Sequence, residues 1–208
     1  MAENERMLDQ SVIDFAAATA AKAPTPGGGS VAGVVGALGT ALGEMALNFT
    51  RGKKAFVAHE ADYEAIGARL AKSRKMFAAL VAEDIAAYSL YQQASRAEGP
   101  DKPQQVQLAL AAAINVPREM AKLALAVLED FDSLLDRCNK WLLTDLAAGA
   151  VLAEAVVRLS DYNVRINAPN CDDARTGGEL LASSEADCRR AHEICRRIDA
   201  SVKEQIAP

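Results

Sequence analysis

Residues 24–54 read PTPGGGSVAGVVGALGTALGEMALNFTRGKK, and this stretch decides how the rest of the chain is arranged. Pro24 and Pro26 fix the backbone φ angle and prevent a regular helix before them, while the three glycines that follow allow conformations closed to other residues. The apolar run after the glycines contains a single charged residue, Glu44. Because a surface helix would carry a polar face, we expect a helix that Ser30 caps and that is covered on nearly all sides.

Glycines recur along this helix at spacings that place them on one face. Gly29, Gly33, Gly36 and Gly43 are four, three and seven residues apart, and such positions lie above one another on a helix. Glycine inside a helix costs roughly 1 kcal/mol relative to alanine. The pattern therefore predicts that another backbone or a ligand comes unusually close to this face.

Two alternatives fit parts of the same stretch. A membrane span has a similar length, but this run is built of Ala and Gly more than of larger apolar residues, and it holds Ser30, Thr40 and Asn48 besides Glu44. A phosphate-binding loop needs the spacing GxxxxGK[ST] after a strand, and PTPGGGS has neither. We favour a buried helix and expect no membrane partner.

Composition narrows the class of protein. The 208 residues are half hydrophobic, which suffices for one large domain over residues 1–208. The net charge of −5 and the lack of a basic run argue against a nucleic-acid partner, which needs clustered Lys and Arg. Acidic residues stand in MAENERMLDQ, where a secretory signal would have a basic region, so we expect a cytoplasmic protein.

The four cysteines are expected to be free thiols. They have no CxxC spacing, and the cytoplasm keeps thiols reduced. Cys188, His192 and Cys195 fall on one helical face, which leaves a zinc site as an alternative. Zinc needs a fourth ligand, and three such residues on an amphipathic helix are more often packing residues. We expect no metal.

Helical periodicity extends over the rest of the chain, and no segment alternates with the period of two that is typical of strands. Pro117 predicts a kink or a break between two helices at Val116. A second alanine-rich segment from Leu142 to Leu159 is expected to pair with the first as the two buried central helices of an all-α, multihelical fold. The other predicted helices cover residues 8–22, 60–91, 104–137 and 178–206.

Three polar residues lie against apolar surroundings, namely Lys53, Asp84 and Asp145. Each has a purely structural alternative. Asp145 can favour a helix N-terminus that Thr144 caps, and Lys53 can complement the C-terminal dipole of the helix before it. Asp84 can face solvent beside Glu83. Periodicity alone does not name a reaction for these residues.

Six sequence blocks, taken in order, resemble one family. They are PTPGGGSVAG, GALGTALGEMALNFTRGKK, EDIAAY, NVPREMAK, CNKWLLTDLAAGAVLAEA and NVRIN, and they cover most of residues 24–167. The combination resembles the cyclodeaminase/cyclohydrolase family acting on folates, which includes stand-alone methenyltetrahydrofolate cyclohydrolases and the cyclodeaminase half of formiminotransferase-cyclodeaminase. The resemblance implies two buried central helices, a homodimer and a folate pocket, with a tetrahydrofolate derivative as substrate and no cofactor besides.

The resemblance also implies the site residues. Lys53 matches the family's basic position after the first core helix, Asp84 its acidic position in the long helix, and Asp145 the acidic position that follows Thr144. These three are the expected catalytic residues. The expected substrate-binding residues come from the glycine turn and the NVRIN block: Pro26, Gly27, Gly28, Gly29, Ser30, Asn163 and Asn167.

The sequence departs from the family pattern at several positions. Cys138 precedes Asn139 where glycine is usual, and Arg118 follows the VP pair where an apolar residue is common. Phe56 replaces a tyrosine of some members, and the loop at 96–105 lacks most of the charged segment expected there. These differences bear on substrate preference and on activity.

The implied reaction is the addition of water to the cationic bridging carbon of 5,10-methenyltetrahydrofolate, which opens the ring to 10-formyltetrahydrofolate. Such a site needs an anion, a base for water and an acid for the departing nitrogen. We expect Asp145, partly desolvated at the end of a core helix, to serve as counter-ion or base. Lys53 would activate water or stabilise the developing oxygen, and Asp84 would orient that lysine or share the proton transfer.

Two alternatives remain at this point. Formiminotetrahydrofolate cyclodeamination would use the same pocket and release ammonia, but the sequence shows no formiminotransferase domain, so the cyclohydrolase is favoured. The glycine turn would let the flat pterin or the reacting bridge approach the backbone in either reaction. A non-catalytic folate-binding protein is the other alternative, which the differences at Cys138 and Arg118 suggest.

Overall fold

Helices form nearly all of the structure. The computed structural model describes residues 10–207, and no strand occurs among them. The prediction of an all-α fold is therefore confirmed. The helices are α1 (Val12–Ala20), α2 (Gly28–Asn48), α3 (Glu60–Arg96), α4 (Lys102–Leu134), α5 (Leu143–Asn167) and α6 (Ala174–Ile206), with short 3-10 segments at Lys54–His59, Leu135–Arg137, Lys140–Leu142 and Ala168–Asn170.

The helix α2 begins directly after the glycine turn, but Ser30 does not cap it. Gly27 occupies the N-cap position and makes no side-chain hydrogen bond. Ser30 lies inside the first turn and is fully buried. Its hydroxyl donates a hydrogen bond of 2.8 Å to the Asp84 carboxylate. The predicted cap was wrong because this serine has a partner on another helix.

The glycine face of α2 brings α3 against its backbone, with the two helices antiparallel. A Cβ atom at Gly33 would lie 2.5 Å from Cγ2 of Val81, and one at Gly36 would lie 2.6 Å from the Phe77 ring. Carbon atoms in favourable contact are about 3.5–4 Å apart, so neither position has room for a methyl group. The predicted close approach is confirmed.

The helix α5 crosses the middle of α2. A Cβ atom at Gly39 would lie 3.1 Å from the carbonyl oxygen of Gly149, and one at Gly149 would lie 2.8 Å from that of Gly39. The ring of Phe131, on α4, fills the space that a side chain at Gly43 would occupy. The prediction that the two alanine-rich helices form the centre of the fold is confirmed.

One face of α2 is only partly covered within the chain. Leu38 is 54% exposed and Phe49 is 56% exposed. The expectation that α2 is covered on nearly all sides was wrong, because α3, α4 and α5 pack on the glycine face and leave the opposite face open. This face is apolar along its whole length, and we call it the apolar strip: Val31, Val34, Leu38, Leu42, Met45 and Phe49.

The first helix packs much less than its amphipathic pattern predicts. A helix was expected over residues 8–22, and α1 spans Val12–Ala20 with no buried residue. Leu8 lies outside the described residues. Val12 and Ile13 are both about four-fifths exposed. The apolar positions of α1 therefore do not join the core.

The proline in α4 does not divide it. The helix runs through Pro117 without interruption, so the alternative of a break at Val116 was wrong. Pro117 has no N–H group, and the carbonyl of Ala113 consequently lacks its usual helical donor. The buried residues on both sides of the proline, such as Ile114 and Met120, hold the helix together by packing.

Three other helices are longer than the sequence pattern predicts. α3 continues to Arg96, and α5 continues through the polar end of the NVRIN block to Asn167. α6 begins at Ala174 because Asp173 is its N-cap. The Asp173 carboxylate accepts hydrogen bonds from the backbone N–H groups of Arg175 and Thr176. The polar ends of a helix are harder to predict from the sequence than its apolar face.

By length and composition α2 is the one described helix that fits a membrane span. Half of its most apolar window is buried inside the chain. Its contacts with α3 and α5 through Gly33, Gly39 and Gly43 account for the unusual composition without a bilayer. Packing in the bundle therefore explains the apolar run.

The close packing at Gly43 predicts a loss of stability when this residue is replaced. Gly43→Ala should lower the free energy of unfolding by about 1–3 kcal/mol, because the new methyl group overlaps the Phe131 ring. Urea unfolding followed by circular dichroism measures the change. Gly178→Ala is the matched control, since nothing lies within 4 Å of a Cβ there, and it should stabilise by up to about 1 kcal/mol. Equal effects of the two substitutions would contradict this account.

Candidate active site

A cavity of about 420 Å³ opens beside the N-terminus of α2, between α3, α4 and α5. Val116 and Pro117 of α4 form part of its apolar wall. Its polar lining comes from two facing stripes of side chains, Asp84, Tyr88 and Tyr91 on one side and Asn163, Asn167 and Asn170 on the other. We call it the glycine-end cavity.

The two stripes follow from helical spacing. Asp84, Tyr88 and Tyr91 are at positions i, i+4 and i+7 of α3, which share one face. Asn163, Asn167 and Asn170 have the same spacing along α5 and the 3-10 segment after it. Each element therefore presents three polar groups to the same space.

Asp84 is held in place by the start of α2. Its carboxylate accepts a hydrogen bond from the Ser30 hydroxyl at 2.8 Å and another from the backbone N–H of the same residue. A side chain at Gly29 would overlap the carboxylate. The absence of a Cβ at Gly29 is what lets an acidic side chain of α3 reach the α2 N-terminus, where the helix dipole favours negative charge.

Burial raises the pKa of Asp84 above the ordinary value of a carboxyl group, and the two hydrogen bonds from Ser30 lower it in part. Desolvation penalises the charged form of an acid. The alternative in which Asp84 simply faces solvent beside Glu83 was therefore wrong. A half-buried carboxyl group with a raised pKa is suited to proton transfer.

The glycine turn does not line the cavity itself. None of Pro26, Gly27, Gly28, Gly29 and Ser30 is among its lining residues. Asp84 fills the space over Gly29, whereas a Cβ at Gly28 would have nothing within 4 Å. In the described chain this turn acts through Asp84, and direct contact of the turn with a folate stays a prediction.

Lys53 and Asp145 lie at the opposite end of the bundle, which we call the lysine end. Lys53 is exposed and directly precedes the 3-10 segment Lys54–His59. Asp145 is half-buried in the first turn of α5. A hydrogen bond connects the C-terminal end of α2 to the segment before α5. The backbone N–H of Asn139 donates to the Thr50 hydroxyl at 2.9 Å.

The described chain therefore divides the predicted site into two parts. Twenty residues of mostly helical chain separate Ser30 from Thr50, a distance of about 30 Å at 1.5 Å per residue. Asp84 contacts Ser30, and Lys53 follows Thr50. The expectation that Asp84 orients Lys53 was wrong for a single chain, because α3 runs antiparallel to α2 and places Asp84 at its far end.

The whole architecture matches known proteins. The family model for formiminotransferase-cyclodeaminase matches residues 11–186. The chain belongs to this family. The match includes both ends of the bundle, so the glycine-end cavity and the lysine end are parts of the family's fold.

Relatives of two kinds are similar to this chain. A methenyltetrahydrofolate cyclohydrolase from Methylorubrum extorquens is 28% identical over 95% of this chain and 98% of its own length. The formimidoyltransferase-cyclodeaminase of Gallus gallus is 27% identical, and this chain spans about a third of it (33%). A crystal structure of formiminotetrahydrofolate cyclodeaminase from Thermotoga maritima has a TM-score of 0.87 at 28% identity and covers 94% of this chain and 96% of its own.

The positions that depart from the family pattern lie outside the glycine-end cavity. Cys138 is buried at the lysine end, 3.5 Å from the Thr50 hydroxyl, and burial raises the pKa of its thiol although the charge of Lys53 lowers it slightly. Phe56 packs on the core. Arg118 donates to Asn115 on the other side of α4.

The zinc alternative has no support in the structure of residues 10–207. No group of three potential metal-binding side chains occurs there. His192 bonds to Glu154 at 3.0 Å, and burial raises the pKa of Cys195 to about 12. All four cysteines are free.

Sequence reasoning missed three residues of the cavity. Neither Tyr88 nor Tyr91 is among the predicted site residues, although Tyr88 continues the apolar face of α3 that holds Val81 and Ile85, and Asn170 lies beyond the NVRIN block. The signal was their spacing, since each continues the helical face of a residue that was already a candidate. A tyrosine in an apolar stripe does not by itself distinguish a core from a cavity wall.

The raised pKa of Asp84 predicts the pH dependence of stability. A carboxyl group whose pKa is raised on folding stabilises most below its unfolded pKa, and this contribution is lost as the pH rises through the folded value. Asp84→Asn should therefore become more stable relative to the parent protein as the pH rises from about 4 to 7. Urea unfolding of both proteins at several pH values measures this difference.

Asp173 offers a control of opposite sign. Hydrogen bonds from Thr176 and Arg175 lower the pKa of its carboxyl group, so its contribution is present above the unfolded pKa and is lost as the pH falls. Asp173→Asn should lose stability relative to the parent at pH 7 and approach it at low pH. The same pH trend in both variants would show that acid affects the stability of the whole protein and that Asp84 is not the cause of the change in stability.

Proposed function

We propose that this protein is a folate one-carbon enzyme that hydrolyses 5,10-methenyltetrahydrofolate to 10-formyltetrahydrofolate. The observation that carries the proposal is the alignment with a methenyltetrahydrofolate cyclohydrolase over 95% of this chain and 98% of the relative. The bifunctional relative, in contrast, is matched over about a third of its length (33%). The glycine-end cavity supplies a site of suitable size for a heterocyclic substrate.

The reaction needs three proton transfers. Water attacks the bridging carbon, which is part of a cation delocalised over N5 and N10, and a base takes a proton from the water. The bond from this carbon to N5 then breaks, N5 takes up a proton, and the hydroxyl loses its proton to leave a formyl group on N10. The net products are 10-formyltetrahydrofolate and one proton.

We assign roles to the three predicted catalytic residues on this basis. Asp145 balances the cation and accepts the proton of water, and Lys53 stabilises the oxygen as its charge develops. Asp84 has a pKa that burial raises, so it is suited to hand a proton to the departing N5. The cavity around Asp84, with Asn163 and Asn167, holds the ring.

These roles require two copies of the chain, because Lys53 and Asp84 lie at opposite ends of α2. The apolar strip supports a homodimer. It has no charged residue along its length, and its most exposed members, Leu38 and Phe49, are more than half exposed. An apolar face of this kind on a soluble domain marks an interaction surface.

A two-fold axis through the middle of the apolar strip would complete the site. Such an axis pairs Leu38 with its copy and runs the two α2 helices antiparallel. The lysine end of one chain then lies beside the glycine-end cavity of the other. Each dimer would contain two identical sites, and each site would use Lys53 and Asp145 from one chain with Asp84 from its partner.

Cyclodeamination of formiminotetrahydrofolate is the second candidate. The observation in its favour is the TM-score of 0.87 with the Thermotoga maritima cyclodeaminase. Ring closure with loss of ammonia forms the same methenyl bridge and needs the same acid and base groups. A cytoplasmic location and independence from any cofactor besides the folate stay predictions.

Turnover is the first test. The protein should remove the absorbance of methenyltetrahydrofolate faster than buffer alone, and Lys53→Ala, Asp84→Asn and Asp145→Asn should each lower kcat by about 10²-fold or more, as loss of an acid–base or charge-stabilising group does. Circular dichroism confirms that each variant is folded. Ammonia release from formiminotetrahydrofolate, without hydrolysis of the methenyl compound, would assign the cyclodeaminase reaction instead.

Mixing inactive variants tests the shared site. Lys53→Ala and Asp84→Asn, unfolded together and refolded as a mixture, should regain about a quarter of the parent activity, since half of the dimers are mixed and each has one intact site. Lys53→Ala mixed with Asp145→Asn is the control and should stay inactive, because both residues belong to the same end of the same chain. Rescue in the control, or none in the first mixture, would contradict the two-fold arrangement.

A further inference from the structure

We infer that the glycine-end cavity binds the pterin ring of a tetrahydrofolate through its N–H groups, with Tyr88 and Tyr91 against the ring and Asn170 as an additional acceptor. The inference rests on the proposed function and assigns the ring end of the substrate to this cavity. It adds three residues to which neither the catalytic assignment nor the family resemblance gives a role.

The asparagine stripe presents acceptors. Asn163, Asn167 and Asn170 each turn their Nδ2 group back to the backbone carbonyl four residues earlier, at 3.0, 2.9 and 3.1 Å. The carboxamide oxygens have no hydrogen-bond partner among the described residues. A carboxamide whose nitrogen is held in this way offers its oxygen as the group that meets a ligand.

The opposite walls add two more acceptors. Asp84 lines the cavity with a carboxyl group that Ser30 alone contacts among the hydrogen bonds of residues 10–207. Ala113 and Pro117 also line it, and the Ala113 carbonyl has no helical donor because Pro117 lacks an N–H group. The proline that interrupts the hydrogen bonding of α4 therefore lies at the cavity, where a ligand can use the free carbonyl.

The tyrosines supply flat apolar surface and one donor. Tyr88 and Tyr91 are half-buried and line the cavity one turn apart on α3. The Tyr88 hydroxyl accepts a hydrogen bond from Gln92 Nε2 at 2.7 Å, which leaves its own proton for a ligand. Aromatic rings stacked or packed edge-on against each other contribute about 0.5–1.5 kcal/mol beyond the buried area.

This set of groups fits a reduced pterin. The ring of tetrahydrofolate carries N–H donors at the 2-amino group, N3 and N8, and a carbonyl acceptor at C4 that a tyrosine hydroxyl can meet. In fully oxidised folate, N8 has lost its proton and is an acceptor. A cavity rich in acceptors leaves that atom without a partner, and an unpaired buried polar group is costly, so the cavity should prefer the reduced ring.

The other end of a folate does not suit the cavity. The glutamate tail carries carboxylates, and no Lys or Arg is among the described residues that line the cavity. The tail is therefore expected to leave the cavity toward solvent while the ring stays inside.

The test uses ring fragments without a one-carbon group, so that binding is measured apart from turnover. Tetrahydropterin, kept anaerobic, is titrated into the full chain by calorimetry, with oxidised pterin and p-aminobenzoylglutamate as competitors. Tetrahydropterin should bind at least about 10-fold more tightly than oxidised pterin, which corresponds to one unpaired polar group. Tyr91→Leu and Asn170→Leu should each weaken its binding about 3- to 10-fold.

Asn115→Leu is the matched control, since Asn115 is exposed on the other face of α4 and outside this cavity. It should bind tetrahydropterin as the parent does. Unchanged binding in Tyr91→Leu and Asn170→Leu, or tight binding of p-aminobenzoylglutamate that displaces the pterin, would overturn the inference. Turnover without this selectivity overturns the inference alone, whereas selective pterin binding without any turnover overturns the proposed reaction and leaves the inference standing.

Discussion

The structure depends on backbone contact along one face of α2. Gly33 and Gly36 admit α3, Gly39 admits the backbone of α5, and Gly43 admits a ring from α4. Helices with ordinary side chains pack with axes 8–10 Å apart, and a row of glycines permits closer approach. Every element that carries a candidate site residue is positioned by this face or by the turns at its two ends. The positions of the candidate residues therefore depend on the glycines of α2, which have no side chains.

Much of this could be predicted from the sequence. The run of Ala and Gly with one charge, Glu44, predicts a central helix, and the glycine spacing predicts its close contacts. The structure also explains why this run contains a charged residue, since Glu44 forms an ion pair with Arg74 of α3 at 2.5 Å. What periodicity could not predict is which apolar face stays uncovered, because the apolar strip and a core face have the same composition.

The sequence names candidate residues for the site, but it does not predict their arrangement. Lys53, Asp84 and Asp145 were found from local sequence and family resemblance, which carry no information on the distance between them. The antiparallel packing of α2 and α3 places Asp84 beside Ser30 and far from Lys53. A tertiary contact determines this separation, and local sequence does not predict it.

The crossing of Gly39 and Gly149 has a consequence for the order in which the chain folds. About 110 residues separate the two glycines. During synthesis at about 5–20 residues per second, α2 leaves the ribosome roughly 5–20 s before the part of α5 that covers it. The part of α3 that covers Gly33 and Gly36 leaves the ribosome well before the part of α5 that covers Gly39. A nascent chain therefore exposes its most apolar helix for seconds, a period in which a chaperone that binds apolar segments would find it accessible.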